Sequence, residues 1–259
     1  MAEYHFDAVA ARDRLIRKIR AFTQGAGVSR VVLGISGGKD SSVTAALCAR
    51  ALGPENVYGL MLPDGAQRDI DDSKRVCAAL DIHCRVVNIG QMHRALHASL
   101  DLNEDPDADP HFFRVAYVKE SDVNVGPRLH MTTLRYVAQA IGAFLCGTGN
   151  LSEATVGYCT KDGDTSCDFN PLGTLTSVEV VQVGLTMPEL PKELVEKTPD
   201  DGLSGVPDEV KLGLTYRQIH DYLRLGSCGD AAVDGKIAAK ERANMHKRRL
   251  PTILNAWED

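Results

Sequence analysis

Residues Arg30-Val-Val-Leu-Gly-Ile-Ser-Gly-Gly-Lys-Asp-Ser-Ser42 decide how the chain folds. The first seven form a short apolar run rich in β-branched residues, the pattern of a strand buried on both faces. A glycine-rich turn follows. Ser41 to Leu52 is then rich in Ala and Leu until Gly53-Pro54 ends it, as a helix ends. Strand, glycine turn and helix in that order bring free backbone N–H groups and the positive end of a helix to one place, where an anion binds. Within Gly34, Ile35, Ser36, Gly37, Gly38, Lys39, Asp40, Ser41 and Ser42, three hydroxyls add donors and Lys39 adds a cation. This is phosphate-binding chemistry. It is not a Walker A loop, because Lys39 precedes Asp40 rather than Ser or Thr and the glycine spacing differs. Nor is there a G-x-G-x-x-G fingerprint. A plain glycine-rich turn capped by Asp40 or Ser41 would leave most of these donors without a use.

Working outward, residues 7–24 read as an amphipathic helix, with Val9, Leu15, Ile16, Ile19 and Phe22 near helical spacing. Val57 to Leu62 reads as a second strand, Ile70 to Leu80 as a helix, Cys84 to Ile89 as a third strand and Met92 to Leu100 as a helix. This alternation predicts an α/β fold, a doubly wound parallel sheet with helices on both faces. The acidic, proline-containing stretch Asn103 to Pro110 opens a loop expected to run to residue 126, with a helix resuming after Gly126-Pro127 to about Ile141. Ala143 to Cys146 reads as another strand. Thr176-x-x-Glu179 and Thr215-x-x-Gln218 are capping boxes that start helices. Residues 186–213 read as loop around one short helix, and the final helix spans roughly Val233 to His246.

The 259 residues suit one large α/β domain or two small ones, and 44% hydrophobic residues exclude disorder as the main state. Basic and acidic residues number 29 and 35, a net charge of −6, which argues against a general nucleic-acid binder. The seven cysteines, Cys48, Cys77, Cys84, Cys146, Cys159, Cys167 and Cys228, include no C-x-x-C pair, and an odd number suits reduced thiols in the cytoplasm. The first twenty residues carry no apolar signal core, and no run is long enough to span a bilayer. The chain reads as soluble and cytoplasmic, with no membrane partner.

The stretch Ser36-Gly-Gly-Lys-Asp-Ser41 resembles the pyrophosphate loop of the N-type ATP pyrophosphatases, which cleave ATP between its α and β phosphates and adenylate an acceptor. Further stretches resemble one branch of these enzymes, the ammonia-dependent NAD synthetases, in order and spacing. They are Gly147-Thr-Gly-Asn-Leu-Ser-Glu153, Gly157 to Asp164, Asp168-Phe-Asn-Pro-Leu172, Lys197 to Leu203, Asp208-Glu209, Leu212-Gly213, Tyr216 and His246-Lys-Arg248. The likeness runs from about residue 10 to residue 252. It implies an adenine nucleotide alpha hydrolase-like, Rossmann-like fold over residues 1–259. The activity it implies is ATP-dependent amidation of deamido-NAD to NAD⁺ with ammonia, through an NAD-adenylate, releasing AMP and pyrophosphate. A homodimer with the substrate site at its interface is also implied, and Arg128 to Ile141, with Leu129, Leu134 and Val137, is a candidate contact helix.

The same resemblance assigns the loop residues 34–42, Gln67 and Thr148 to ATP. Lys39 and Asp40 are the catalytic pair, gripping the leaving pyrophosphate and its metal. Asp40 and Glu153 are the carboxylates for Mg²⁺, which takes one or two such ligands together with phosphate oxygens. Asn124, Arg128, Lys161, Asp168, His246 and Lys247 fall where the family contacts deamido-NAD, whose pyrophosphate and pyridine carboxylate suit cationic partners. Asp168 would take a ribose hydroxyl. Three departures stand out: Ser177 where many relatives place a lysine toward the ATP phosphates, Asp200 for a Ser or Thr, and His130 for an arginine. A glutaminase would need a domain of its own, so free ammonia is the expected donor. A tRNA-modifying thiolase would need a cysteine pair and a basic surface, and neither is visible; a non-catalytic nucleotide-binding regulator is the other alternative, motivated by Ser177 and Asp200. Residues 103–126 and 200–212 are expected lids, since closure would keep water from an adenylate.

Overall fold

A computed structural model describes residues 4–65, 70–100, 119–199 and 207–249. Helix α1 (Ala8–Gly25), capped by the Asp7 carboxylate on the Ala10 N–H, leads into strand β1 (Val31–Gly34). Then come α2 (Lys39–Leu52), β2 (Val57–Met61), α3 (Ile70–Leu80), β3 (His83–Val86) and α4 (Gly90–Leu100). After α5 (Lys119–Ala140) and β4 (Phe144–Leu145), the chain continues in helices: α6 (Leu151–Val156), α7 (Ser177–Gly184), α8 (Lys192–Val195), α9 (Asp208–Leu212), α10 (Tyr216–Leu225) and α11 (Ala231–Asn244). A 3-10 turn, Met245–Arg248, ends the described chain's regular structure.

The four strands form one parallel sheet in the order β3-β2-β1-β4. Alternation along β1 sends Val31 and Leu33 to a cluster with α1, α2 and α7, where Ile19, Val43, Leu47, Val180 and Val183 lie buried. Val32 faces the other way, to Leu60, Ile89, Leu134, Ala138 and Leu145. Both faces are therefore covered, as a parallel sheet requires. A smaller cluster of Val156, Leu212, Leu214, Tyr216, Ile219 and Ile237 joins α6, α9, α10 and α11. The chain builds outward from β1 through β2 to β3 and then returns to place β4 on β1's other side. That reversal, between β1 and β4, is where an open α/β sheet leaves a crevice for a ligand.

Most expected elements appear, several with shifted ends. The largest difference is at α5: its helix starts at Lys119, so Gly126-Pro127 lies inside it rather than at its start. An interior proline costs about 3 kcal/mol by removing one backbone bond and crowding the preceding turn. The turns before it are nonetheless tied down: Asp122 pairs with His97, and Asn124 accepts from the Thr160 hydroxyl at 2.7 Å. The turns after it bury Leu134 and Ala138 on the sheet, with Leu129 and Val137 packed beside them. Leu134 is thus core, and Leu129 and Val137 are half-buried beside it. Val123 and Tyr136 are the large exposed apolar residues among the described side chains of α5. The 186–213 stretch holds two short helices, α8 and α9, instead of one, and the last helix begins at Ala231. Both capping boxes, at Thr176 and Thr215, form as expected. Asn103 to Pro110, Gln67 and Asp200 lie outside the described residues. Among the described residues, no helix is long and apolar enough to cross a membrane.

Candidate active site

The glycine turn after β1 keeps its shape through its serines. The Ser41 Oγ accepts from the Ser36 N–H at 3.2 Å and donates to the Gly38 carbonyl at 3.1 Å, while the Ser36 Oγ accepts from the Gly38 N–H at 3.2 Å. The buried Ser42 hydroxyl also donates to Gly38, at 2.8 Å. Ser41 and Ser42 therefore shape the turn, and the exposed hydroxyl is that of Ser36. Gly37 has φ +82°, and a Cβ there would come within 2.9 Å of the Asp72 Cβ and the Ser73 N. Only glycine lets the turn lie against the start of α3. Gly38 is the N-cap residue of α2 with no side-chain cap, so the helix's first N–H groups open toward the crevice.

Lys39 does not reach into that crevice. It is 4% exposed, its Nζ lies 2.6 Å from the Asp40 Oδ2 and it stands 5.3 Å from the centroid of the Tyr216 ring. Burial alone would push this ammonium down, but the carboxylates of Asp40 and Glu153 outweigh burial and hold it above its ordinary value. The Tyr216 hydroxyl donates to buried Asp208 at 3.2 Å, and Tyr158 Oη donates to the same carboxylate at 2.9 Å. Burial raises the Asp208 carboxyl and, with the surrounding carboxylates, raises the Tyr216 hydroxyl.

Asn150, 1% exposed, joins the two carboxylates expected to hold a metal. Its Nδ2 donates to Asp40 Oδ1 at 3.0 Å, its Oδ1 accepts from the Glu153 N–H at 3.1 Å, and its own N–H donates to Glu153 Oε2 at 3.0 Å. The last two bonds are a capping box at the start of α6. Desolvation and the nearby Asp40 carboxylate push the Glu153 carboxyl up to about 8, against the pull of Lys39. Among the described residues no cluster of three or more His, Cys, Asp or Glu forms a metal cage. A pair of hard oxygen donors beside a phosphate turn is instead the donor set Mg²⁺ uses when phosphate supplies the remaining ligands. Thr148, partly buried, follows β4 and so stands across the β1/β4 crevice from the turn.

The expected substrate residues gather around residues 157–165. Gly157, at φ +70°, ends α6, and a Cβ there would strike Asn244 at 2.0 Å. The Lys247 ammonium donates to the carbonyls of Gly157 and Cys159 at 2.8 and 2.9 Å. Asn124 holds Thr160, and the Arg128 guanidinium approaches the Lys161 carbonyl at 3.4 Å. Asp168 sits further off, with Oδ1 bound by Arg135 at 2.5 Å and Oδ2 by the Leu145 N–H at 2.7 Å, so it anchors β4 to α5. His246 is exposed on the 3-10 turn. Ser177 is buried at the start of α7, its N–H donating to the Ser152 hydroxyl, and no cation stands at its position. His130, kept neutral by burial, donates from Nε2 to the Leu62 carbonyl at 2.7 Å and pins α5 to the segment after β2. Sequence reasoning gave no role to Asn150, Asp208 or Tyr216. The Asn150-x-x-Glu153 spacing is a capping signature that could have flagged the first.

The comparisons with known proteins agree with this geometry. A sequence model of NAD synthase matches residues 12–251. The NH(3)-dependent NAD(+) synthetase of Methanoregula boonei is 37% identical, over 87% of this chain and 88% of its own. Among solved structures, the NMN synthetase of Francisella tularensis is 28% identical with a TM-score of 0.85, covering 97% of this chain and 100% of its own. The NH3-dependent NAD synthetase of Campylobacter jejuni is 26% identical with a TM-score of 0.75, covering 96% and 100%. The phosphate turn after β1, the carboxylate pair across the crevice and these likenesses lead to one conclusion: the chain belongs to the NAD synthase family.

Proposed function

We propose that this chain is an ammonia-dependent NAD⁺ synthetase, a ligase that forms a C–N bond at the expense of ATP. The observation that carries the reading is the joining of Asp40, on the phosphate turn, to Glu153, across the crevice, through the single side chain of Asn150. In the first step the nicotinate carboxylate of deamido-NAD attacks the α-phosphorus of ATP; the bond to the bridging oxygen breaks and pyrophosphate leaves. Ammonia then attacks the acyl carbon of the NAD-adenylate, AMP leaves, one proton is released and the amide of NAD⁺ remains.

The N–H groups at the start of α2 and the Ser36 hydroxyl hold the departing pyrophosphate, with Ile35 and Gly34 fixing the turn to β1. Thr148 and Gln67 contact the nucleotide. Asp40 and Glu153 hold Mg²⁺, which neutralises charge on the phosphates when bound. Arg128, Lys161, Lys247, His246 and Asn124 fix the dinucleotide, and Asp168 supports them through β4. No protein nucleophile takes part. Catalysis rests on positioning and on fixed dipoles aimed at the leaving group.

Residues 1–259 act as one catalytic unit, and two copies share the dinucleotide site as a homodimer. A monomer by light scattering at micromolar concentration would refute the shared site. A cytoplasmic setting is in keeping with seven free thiols, and neither nucleic acid nor membrane is a partner.

The test is incubation with deamido-NAD, Mg-ATP and ammonium: equal amounts of NAD⁺ and AMP are expected, and ADP in place of AMP would refute the reading. One comparison favours a second acceptor, because the TM-score to the Francisella tularensis NMN synthetase, 0.85, exceeds the 0.75 to the Campylobacter jejuni protein. Nicotinate mononucleotide carries the same pyridine carboxylate without the adenylate half. Comparing kcat/KM for the two acceptors decides between a dinucleotide and a mononucleotide enzyme.

A further inference from the structure

The proposed reaction needs charge over the leaving pyrophosphate, yet the one cation of the phosphate turn lies beneath it. The Lys39 ammonium is enclosed by Asp40 at 2.6 Å and by the ring of Tyr216, whose hydroxyl donates to the buried carboxylate of Asp208. The other oxygen of Asp40 is taken by Asn150. A divalent ion approaching Asp40 without a nucleotide would therefore meet a carboxylate already paired with an ammonium, in a site too desolvated for water to screen the repulsion.

The sign reverses when the ion arrives on ATP. The Mg-ATP complex carries a net negative charge, so the same ammonium attracts it, and the phosphates supply most of the oxygens that a small hard cation requires.

We propose that Lys39 is a built-in counter-cation, a positioning residue that closes the Asp40–Glu153 pair to free divalent ions and opens it only to a metal delivered on a nucleotide. The inference rests on the reading of Asp40 and Glu153 as the metal carboxylates. Tyr216 acts through Lys39, its ring packed against the ammonium, and Asp208 fixes Tyr216 in place.

The test uses Mn²⁺ as probe, with its bound fraction read by electron paramagnetic resonance on the full chain without nucleotide. The wild type is expected to show no saturable Mn²⁺ binding in the micromolar range, and to bind Mn²⁺ once a non-cleavable α,β-methylene ATP is added. Lys39→Gln is expected to bind one Mn²⁺ at least about tenfold more tightly without nucleotide. Lys39→Arg, which keeps the charge, is expected to exclude the ion as the wild type does, and guards against a loss caused by altered packing. Equal nucleotide-free binding by the wild type and Lys39→Gln overturns the proposal, and so does the absence of binding in both. Adding Asp40→Asn to Lys39→Gln separates the two readings. Loss of the Mn²⁺ site in the double variant supports the inference; its persistence shows the ion lies elsewhere and overturns both the inference and the metal reading of Asp40.

Discussion

Replacing Asn150 by alanine removes two hydrogen bonds with one substitution and weakens a third, and the structure sets what each is worth. The bond from Nδ2 to Asp40 runs to a carboxylate at 3.0 Å inside a side chain that is 1% exposed, so its loss costs about 1.5–3 kcal/mol. The N-cap bond to the Glu153 N–H adds about 1 kcal/mol, and the reciprocal Glu153 contact to the Asn150 N–H loosens with it. Together Asn150→Ala is expected to cost about 2.5–4 kcal/mol of stability, read as a lower urea midpoint at unchanged slope. Asn150→Ser keeps a capping oxygen but cannot reach Asp40, so it should recover about 1 kcal/mol of stability and little turnover. The catalytic effect exceeds the folding effect, because Asp40 loses its orientation: NAD⁺ formation should fall about a hundredfold at a temperature where the variant is still folded. A folded Asn150→Ala protein with wild-type turnover and wild-type Mg²⁺ dependence would refute the role given to this bridge.

Other perturbations follow from single contacts. Gly37→Ala places a methyl 2.9 Å from the backbone of α3 at φ +82°, so pyrophosphate release should drop steeply while the sheet stays folded by circular dichroism. Lys247→Met removes the ammonium that ties the Gly157 and Cys159 carbonyls, and kcat/KM for deamido-NAD should fall about tenfold or more in steady-state assays. Glu179 is fully buried; burial raises its carboxyl, but bonds from Arg224 and Tyr4 outweigh burial and hold it below its ordinary 4.5. Its stabilising contribution is therefore complete above pH 4.5 and is lost as pH falls through the depressed folded value. Urea midpoints should decline on acidification below that point in the wild type, and the decline should be shallower in Glu179→Gln.

How far the sequence could be read depended on whether the signal was local. The β1 run, the glycine turn and α2 were legible because their apolar pattern, φ-permissive glycines and Gly53-Pro54 stop all lie within one continuous stretch. The capping boxes at Thr176 and Thr215 were legible for the same reason. The start of α5 was not, since Gly126-Pro127 imitates a helix start and the contacts that pay for an interior proline come from α4 and Thr160. Leu134, buried on the sheet, shows the same limit: an apolar stripe is the same whether it faces a sheet or a second copy. At the site, the family resemblance paired Asp40 with Glu153 but gave no hint that Lys39 turns inward, because Tyr216, which packs on it, and Asp208, which fixes Tyr216, lie more than 160 residues away in the chain. Asp168, expected to take a ribose hydroxyl, spends both oxygens on Arg135 and Leu145, a commitment only the folded chain reveals.

The central claim is that the acceptor's own carboxylate oxygen attacks the α-phosphorus of ATP. Deamido-NAD labelled with ¹⁸O in its carboxylate, turned over with Mg-ATP and ammonium, tests it by mass spectrometry of the products. One labelled oxygen is expected in each AMP formed, in step with NAD⁺. Unlabelled AMP, or label found in pyrophosphate, would contradict the account.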